Sequence, residues 1–307
     1  MKGYSPLITN QAQGGYPAIS STNSQSPGAY SPNTTINSNP QIMQMNQLQP
    51  NFMGINYQFV TDPMIDLDSS TEAIIHQKPQ FAEQLFGCQF PNRYYVLIRS
   101  PQSVGYKMLF KCKEQSECCQ RNCCPASWRE FLMDLIHIKG GDIFAAEDFS
   151  NPYVRAVKPF KCTCFCLERP EMNVFKGGNL EGIVRQPWSC CDPIFTIHDK
   201  SGVLKYYIYA NCCQCGYCCA NNFFGKFSDA IFNIYENPSM GVVVGSIVKK
   251  SANLEEALTN ADSYAIAFPS KAEPNDKLLL ILTALMIDYQ FFENRKTFET
   301  RNNRHYV

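Results

Sequence analysis

From Arg93 onward the chain breaks into short apolar and aromatic runs separated by Gly, Pro, Asn and Asp: RYYVLIRS, YKMLFKC, EFLMDLIHI, DIFAAED, YVRAVKPF, GIVRQPW, IFTIHD, VLKYYIYA, AIFNIYE, GVVVGSIVKK and SYAIAFP. β-Branched and aromatic runs at such close spacing predict an antiparallel sandwich or barrel. IFTIHD and AIFNIYE mix polar and apolar positions as half-buried strands do, whereas GVVVG reads as a fully buried strand. Two segments depart from the strand pattern. SANLEEALTN sets Asn253 three residues before Glu256, a cap pair for a short helix. NDKLLLILTALMIDYQFFE predicts a second helix, capped by Asn275 or Asp276 and apolar nearly all round from Leu278 to Ile287.

A helix apolar on every side is either a membrane span or the centre of a core. At 1.5 Å per residue, Leu278 to Ile287 reaches about 15 Å, against a hydrocarbon thickness of ~30 Å. Arg295, Lys296, Arg301 and Arg304 follow the segment and only Lys271 and Lys277 closely precede it, which opposes the positive-inside bias for a cytosolic N-terminus. The pattern therefore predicts a helix threaded through a β-barrel, with Asp288 and Glu293 near its wetter end.

The pattern divides the chain into an arm (1–65), a barrel domain (66–294) and a short basic tail (295–307). As far as about Met53 the arm is Asn, Gln, Ser, Pro and Gly with almost no charge and no apolar period. Such a segment cannot bury enough surface to offset its chain entropy and is expected to be disordered. Its two Tyr-Ser-Pro sites, at Tyr4 and Tyr30, make it a docking tail for protein partners in a second reading, although it holds no Pro-x-x-Pro motif. No apolar run near Met1 resembles a secretory signal, so the chain is expected to begin in the cytosol, and Lys2 breaks the myristoylation pattern. The formal net charge is +0, which gives no reason to expect nucleic acid.

The chain's 16 cysteines all fall between Cys88 and Cys219, mostly in doublets or clusters: ECCQRNCC, CTCFC, SCCD and NCCQCGYCC. In a reducing cytosol these are thiols rather than disulfides. Cys212, Cys215 and Cys218 have C-x2-C spacings, which suit tetrahedral zinc, yet the overlapping doublets leave more sulfurs than a zinc ribbon uses. Cys162, Cys164 and Cys166 differ, because alternate positions of an extended segment share one face, a suitable arrangement for several acyl chains entering one membrane. Arg155, Lys158 and Lys161 precede them, and each cation near an anionic leaflet adds about 1 kcal/mol. Thiols packed as small hydrophobes in a strand are the competing reading.

In chain order, ECCQRNCCPASWREF, the basic stretch leading into CTCFC, and NADSYAIAFPSKAEPNDKLLLILTALMIDYQFFE closely resemble segments of the phospholipid scramblase family. IIHQKPQFAEQLFGCQFPNRYYVLIRS is similar to that family's domain start, so the resemblance runs from about Ile74 to Glu293. It implies a mainly β, tubby-like fold: a closed antiparallel barrel of about twelve strands around a C-terminal hydrophobic helix. It also implies thioacylation at Cys162, Cys164 and Cys166, and calcium-triggered, ATP-independent, bidirectional movement of phospholipids between leaflets.

The family's calcium segment corresponds to Asn260 to Lys271 and carries acidic residues at its first, third and last positions. Here Asp262 is acidic, Asn260 can offer a carbonyl oxygen and Lys271 places a cation where a carboxylate is needed. Calcium binding is expected to be weak or lost unless Glu273 or Asp276 substitutes. The family's nuclear-import segment falls near GSIVKKSAN, where just Lys249 and Lys250 remain.

Three functions compete: a phospholipid scramblase; a palmitoylated, membrane-tethered protein-binding module without transport; and a cytosolic zinc-stabilised β protein. The first two place the chain on the cytosolic face of the plasma membrane or an endomembrane, held by lipid anchors. An enzyme is not expected, because no glycine-rich phosphate loop or G-x-S-x-G elbow occurs and His76, His137, His198 and His305 lack a local nucleophile motif. The expectation is a lipid-translocating protein rather than a catalyst of covalent chemistry.

Overall fold

The computed structural model describes residues 63–78, 91–125, 127–138, 147–162, 168–218, 228–251 and 263–292, all within one compact unit, Phe52–Val307. Twelve strands form a closed barrel: β1 (Glu72–Gln77), β2 (Arg93–Arg99), β3 (Lys107–Gln115), β4 (Phe131–His137), β5 (Val154–Lys158), β6 (Glu171–Lys176), β7 (Asn179–Arg185), β8 (Ile194–Asp199), β9 (Leu204–Tyr209), β10 (Ala230–Tyr235), β11 (Gly245–Lys249) and β12 (Ser263–Ala267). Each strand pairs antiparallel with the next, and β1 closes on β12 in the register Glu72↔Ala267 to His76↔Ser263. Closure satisfies both edges of what would otherwise be an open sheet. The alternation expected of strands is present: Ala73 and Ile75 of β1, Val154 and Ala156 of β5, and Phe195 and Ile197 of β8 are buried, with less buried neighbours between them.

Short helices α1 (Pro63–Ser69), α2 (Cys118–Cys123) and α3 (Cys215–Cys218) decorate the barrel, and α4 (Pro274–Ile287) runs through it, ending in a π-helical turn, Asp288–Phe292. Every α4 residue from Asp276 to Ile287 is buried. The wall accommodates it closely: a Cβ on Gly182 of β7 would stand 2.6 Å from Leu279 Cδ1 and 2.7 Å from the His198 carbonyl oxygen. The helix apolar on all sides is thus the core of the barrel, as its length and flanking charge predicted.

Several local expectations need correction. The N-cap of α4 is Glu273, followed by Pro274, rather than Asn275 or Asp276, although Asp276 shares in the capping box by accepting from the Glu273 amide at 3.3 Å. Asp288, expected at a wet end, is fully buried. The GVVV segment is not a buried strand: Val242 is 80% exposed and pairing begins only at Gly245. Its place is a reversal in which Met240 takes a left-handed φ of 50° and the Asn237 side chain accepts from the Ser239 amide. Strands β1 and β6 were not foreseen, and the expected elements at DIFAAED (its first five residues) and SANLEEALTN (all but Ser251) lie outside the described residues.

Candidate functional site

In a meander that closes on itself, every connection following an odd-numbered strand emerges at one end of the barrel and every connection following an even-numbered strand at the other. Among the described residues, every cysteine except Cys112, which is buried in β3, lies in a connection of the first kind. We call this the cysteine end and the opposite one the cap end. Among the described residues, Cys118, Cys119, Cys162, Cys190, Cys191, Cys213, Cys215 and Cys218 are exposed there, and Cys124 and Cys212 are partly so. Two apolar side chains are exposed beside them, Phe160 at 49% and Trp188 at 59%.

Cys162 follows β5 and is exposed, whereas Cys164 and Cys166 lie outside the described residues. The three cations before them do not form one basic patch. Arg155 and Lys158 are an odd number of positions apart on a strand and so face opposite ways. Arg155 points outward and binds buried Asp134 through Nε (2.7 Å to Oδ1) and a second nitrogen (3.0 Å to Oδ2). The Asp134 carboxylate holds the guanidinium above its usual pKa. Lys158 points inward and is fully buried, its Nζ donating to the carbonyls of Arg129 at 2.5 Å and Ser127 at 3.1 Å. Burial, reinforced by Arg129 and Lys161, pushes its ammonium pKa down to about 7. Lys161 pairs with Glu171 at 3.0 Å. The expected membrane-facing cation at Lys158 is therefore corrected to an interior amine, and the other two cations are partly neutralised where they stand.

Two neighbouring loops are pinned together by Asp192, a residue that sequence reasoning passed over. Its Oδ1 accepts from the Cys212 amide at 2.9 Å and its Oδ2 from the Tyr209 hydroxyl at 2.9 Å, which hold the carboxyl below its usual pKa. This places SCCD of the β7–β8 connection beside NCC of the β9–β10 connection. Cys190 and Cys191 sulfurs stand 3.7 Å apart and those of Cys212 and Cys213 3.9 Å apart. Asp192 beside Cys212 pushes that thiol up to about 12, so it is a poor nucleophile at neutral pH. Of the zinc set, Cys215 and Cys218 bracket α3 while Cys212 lies before it, and no group of three His, Cys, Asp or Glu side chains suited to a metal ion occurs among the described residues.

The described part of the stretch expected to hold calcium, Ser263 to Lys271, opens with a strand rather than a loop. Its residues 263–267 are β12, with Tyr264 and Ile266 packed in the core, and Lys271 is exposed at the cap end after the strand has crossed the wall. Five residues at about 3.3 Å each separate the two ends of that strand by roughly 17 Å, far beyond one coordination shell. Asn260 and Asp262 lie outside the described residues.

Where α4 reaches the cysteine end, its last residues are tied to the wall. Asp288 accepts hydrogen bonds from Tyr94 Oη at 2.6 Å and Tyr264 Oη at 2.8 Å, from β2 and β12. Arg129 lies 4.9 Å over the Tyr289 ring, and Phe291 meets Tyr217 edge-on at 5.3 Å. The end of the helix is thereby fastened directly beneath the cysteine-bearing loops.

The Scramblase family model matches residues 53–294. The chain is 31% identical over 240 residues to phospholipid scramblase 1 of Homo sapiens, covering 77% of this chain and 67% of that protein. It is 30% identical over 238 residues to phospholipid scramblase 1 of Mus musculus, covering 75% of this chain and 64% of the relative. Against phospholipid scramblase 2 of Bos taurus the figures are 30% over 227 residues, 72% and 68%. The chain thus spans a little under two thirds of the length of the mouse relative. No solved structure matches.

Proposed function

Since the chain belongs to the scramblase family, we propose that it moves phospholipids between leaflets without ATP and in both directions, from a position on the cytosolic face of a membrane to which thioacyl chains hold it. The observation that carries this reading is the disposition of α4 and the thiols. The one strongly apolar helix among the described residues is sealed inside the barrel, and no described helix is long and apolar enough to cross a membrane. Attachment then falls to the barrel's outer surface, where thiols are exposed at one end, Cys162 among them, with Cys164 and Cys166 following in sequence. Calcium dependence is weak or lost in this account, because Lys271 is cationic and a strand separates it from Asn260 and Asp262.

The test is dithionite quenching of fluorescent phospholipid in vesicles that contain the purified chain, with and without calcium, alongside Asp262→Ala. Quenching well beyond the outer-leaflet half, altered little by calcium or by Asp262→Ala, is the expected result. If quenching stops at the level of protein-free vesicles, the chain is a membrane-tethered binding module presenting its N-terminal arm to partners. A large calcium response abolished by Asp262→Ala would instead restore that ion site.

A further inference from the structure

The topology gathers at one end of the barrel thiols that the sequence scatters over about a hundred positions. The clusters at Cys118/Cys119, Cys162, Cys190/Cys191 and Cys213/Cys215 belong to four different connections, and all are exposed at that end. Asp192 joins two of those connections, its Oδ1 accepting from the Cys212 amide. No connection at the cap end contains a cysteine. An exposed indole, Trp188, and an exposed ring, Phe160, sit within the same connections as Cys190 and Cys162. Aromatic side chains of this type settle at the boundary between water and hydrocarbon.

The three cations that precede the Cys162 cluster do not supply the attraction that anchoring there would need. Arg155 and Lys161 are paired with carboxylates and Lys158 is buried, so the second anchoring signal that stabilises one acyl chain must come from elsewhere. Additional acyl chains provide it, at about 0.8 kcal/mol for each CH2 buried.

We propose that the whole cysteine end is a bilayer-docking face, S-acylated on several connections, with Cys118, Cys119, Cys190, Cys191, Cys213 and Cys215 modified in addition to the Cys162 cluster. The proposal rests on the tethered reading given above and extends it. In each modification a cysteine thiol, giving up its proton, attacks the carbonyl carbon of a long-chain acyl thioester. A new thioester forms on the cysteine, and the donor leaves as a free thiol that takes up the proton. No oxidant or metal is needed. Cys212 is left out, because Asp192 keeps its thiol protonated and its side chain is only partly exposed.

The test counts thioesters on the full-length chain expressed in a eukaryotic cell. Disulfides are reduced and free thiols blocked, thioesters are cleaved with hydroxylamine, and the released thiols are tagged with a polyethylene glycol maleimide that shifts the gel band once per site. The expected result is more than three hydroxylamine-dependent shifts, falling to three or fewer when Cys118, Cys119, Cys190, Cys191, Cys213 and Cys215 are all replaced by Ser. These side chains are exposed, and a circular-dichroism spectrum and melting temperature matching the parent establish that the variant folds. One to three shifts in the parent, unchanged in the sixfold variant, would overturn the multi-loop face and leave the single tether standing. No shift at all would remove both.

Discussion

The central helix is fastened at its two ends by charges of opposite sign, and the two ends of the barrel differ accordingly. At the cap end the Lys277 ammonium donates to three backbone carbonyls, Leu67 at 2.9 Å, Asp68 at 2.7 Å and Ser70 at 2.9 Å, locking α1 over the opening. At the cysteine end the Asp288 carboxylate accepts from two tyrosine hydroxyls of the wall. The first clasp immobilises the chain outside the barrel, since α1 leads directly into β1. The second engages Tyr94 and Tyr264 of the strands, and the described connections at that end carry exposed thiols. Tight turns reinforce the contrast: β6 and β7 are joined at the cap end by Gly177 and Gly178 alone, at φ of 56° and 84°. Left-handed dihedrals at both positions suit the hairpin turn that glycine favours.

The comparison can be broken most forcefully at Lys277. Lys277→Met leaves three carbonyls without their charged donor and is expected to cost about 4 kcal/mol, read from the urea midpoint. A loss below about 1 kcal/mol would mean that α1 is not clasped. Asp288→Leu removes the acceptor for Tyr94 and Tyr264 and should cost about 3 kcal/mol, with Asp288→Asn losing less because one acceptor remains. Equal losses for the two variants would count against the tyrosine pair. Gly182→Ala pushes a methyl into Leu279 and the His198 carbonyl, a backbone group that cannot swing aside. A loss of about 2 kcal/mol is expected, and a neutral result would mean that α4 does not press on β7.

A pH series sharpens the cysteine end. The Lys158 amine has a folded-state pKa near 7, below its value in an unfolded chain. Between about pH 7 and pH 10 the unfolded state then binds the extra proton, so stability rises with pH across that window and is flat, for this group, below it. Melting temperatures of the parent and Lys158→Met should diverge with that slope; parallel curves would show that the amine is not depressed. The smallest effect belongs to the surface pair: Lys161→Ala should change stability by less than about 0.5 kcal/mol, because its partner Glu171 is solvent-accessible and also lies 3.5 Å from Arg185.

The barrel's walls and its buried helix were legible in the sequence because both depend on apolar periodicity, which neighbouring residues display directly. The gathering of the cysteines was not. It depends on the parity of the strand count, and β1 (EAIIHQ) and β6 (EMNVFK), each with three apolar residues in six, escaped the pattern. Missing β1 reverses the parity of β2–β5, and missing β6 as well restores it for β7–β12, so the thiols would be scattered over both ends. The inward turn of Lys158 could have been read, since it shares a face with buried Val154 and Ala156, three positions at a spacing of two. Asp288 could not, because its partners lie 194 and 24 residues away and only closure brings them to it.

The account turns on α4 remaining inside the barrel when the chain is on a membrane. Hydrogen exchange of the acylated chain, bound to vesicles and free, measures this by following amide protection in the strands that face the helix. The prediction is unchanged slow exchange through β1, β7, β8 and β12 in both states. Loss of strand protection on binding, with residues 274–287 still protected, would show that the helix leaves the barrel for the bilayer and would contradict the account.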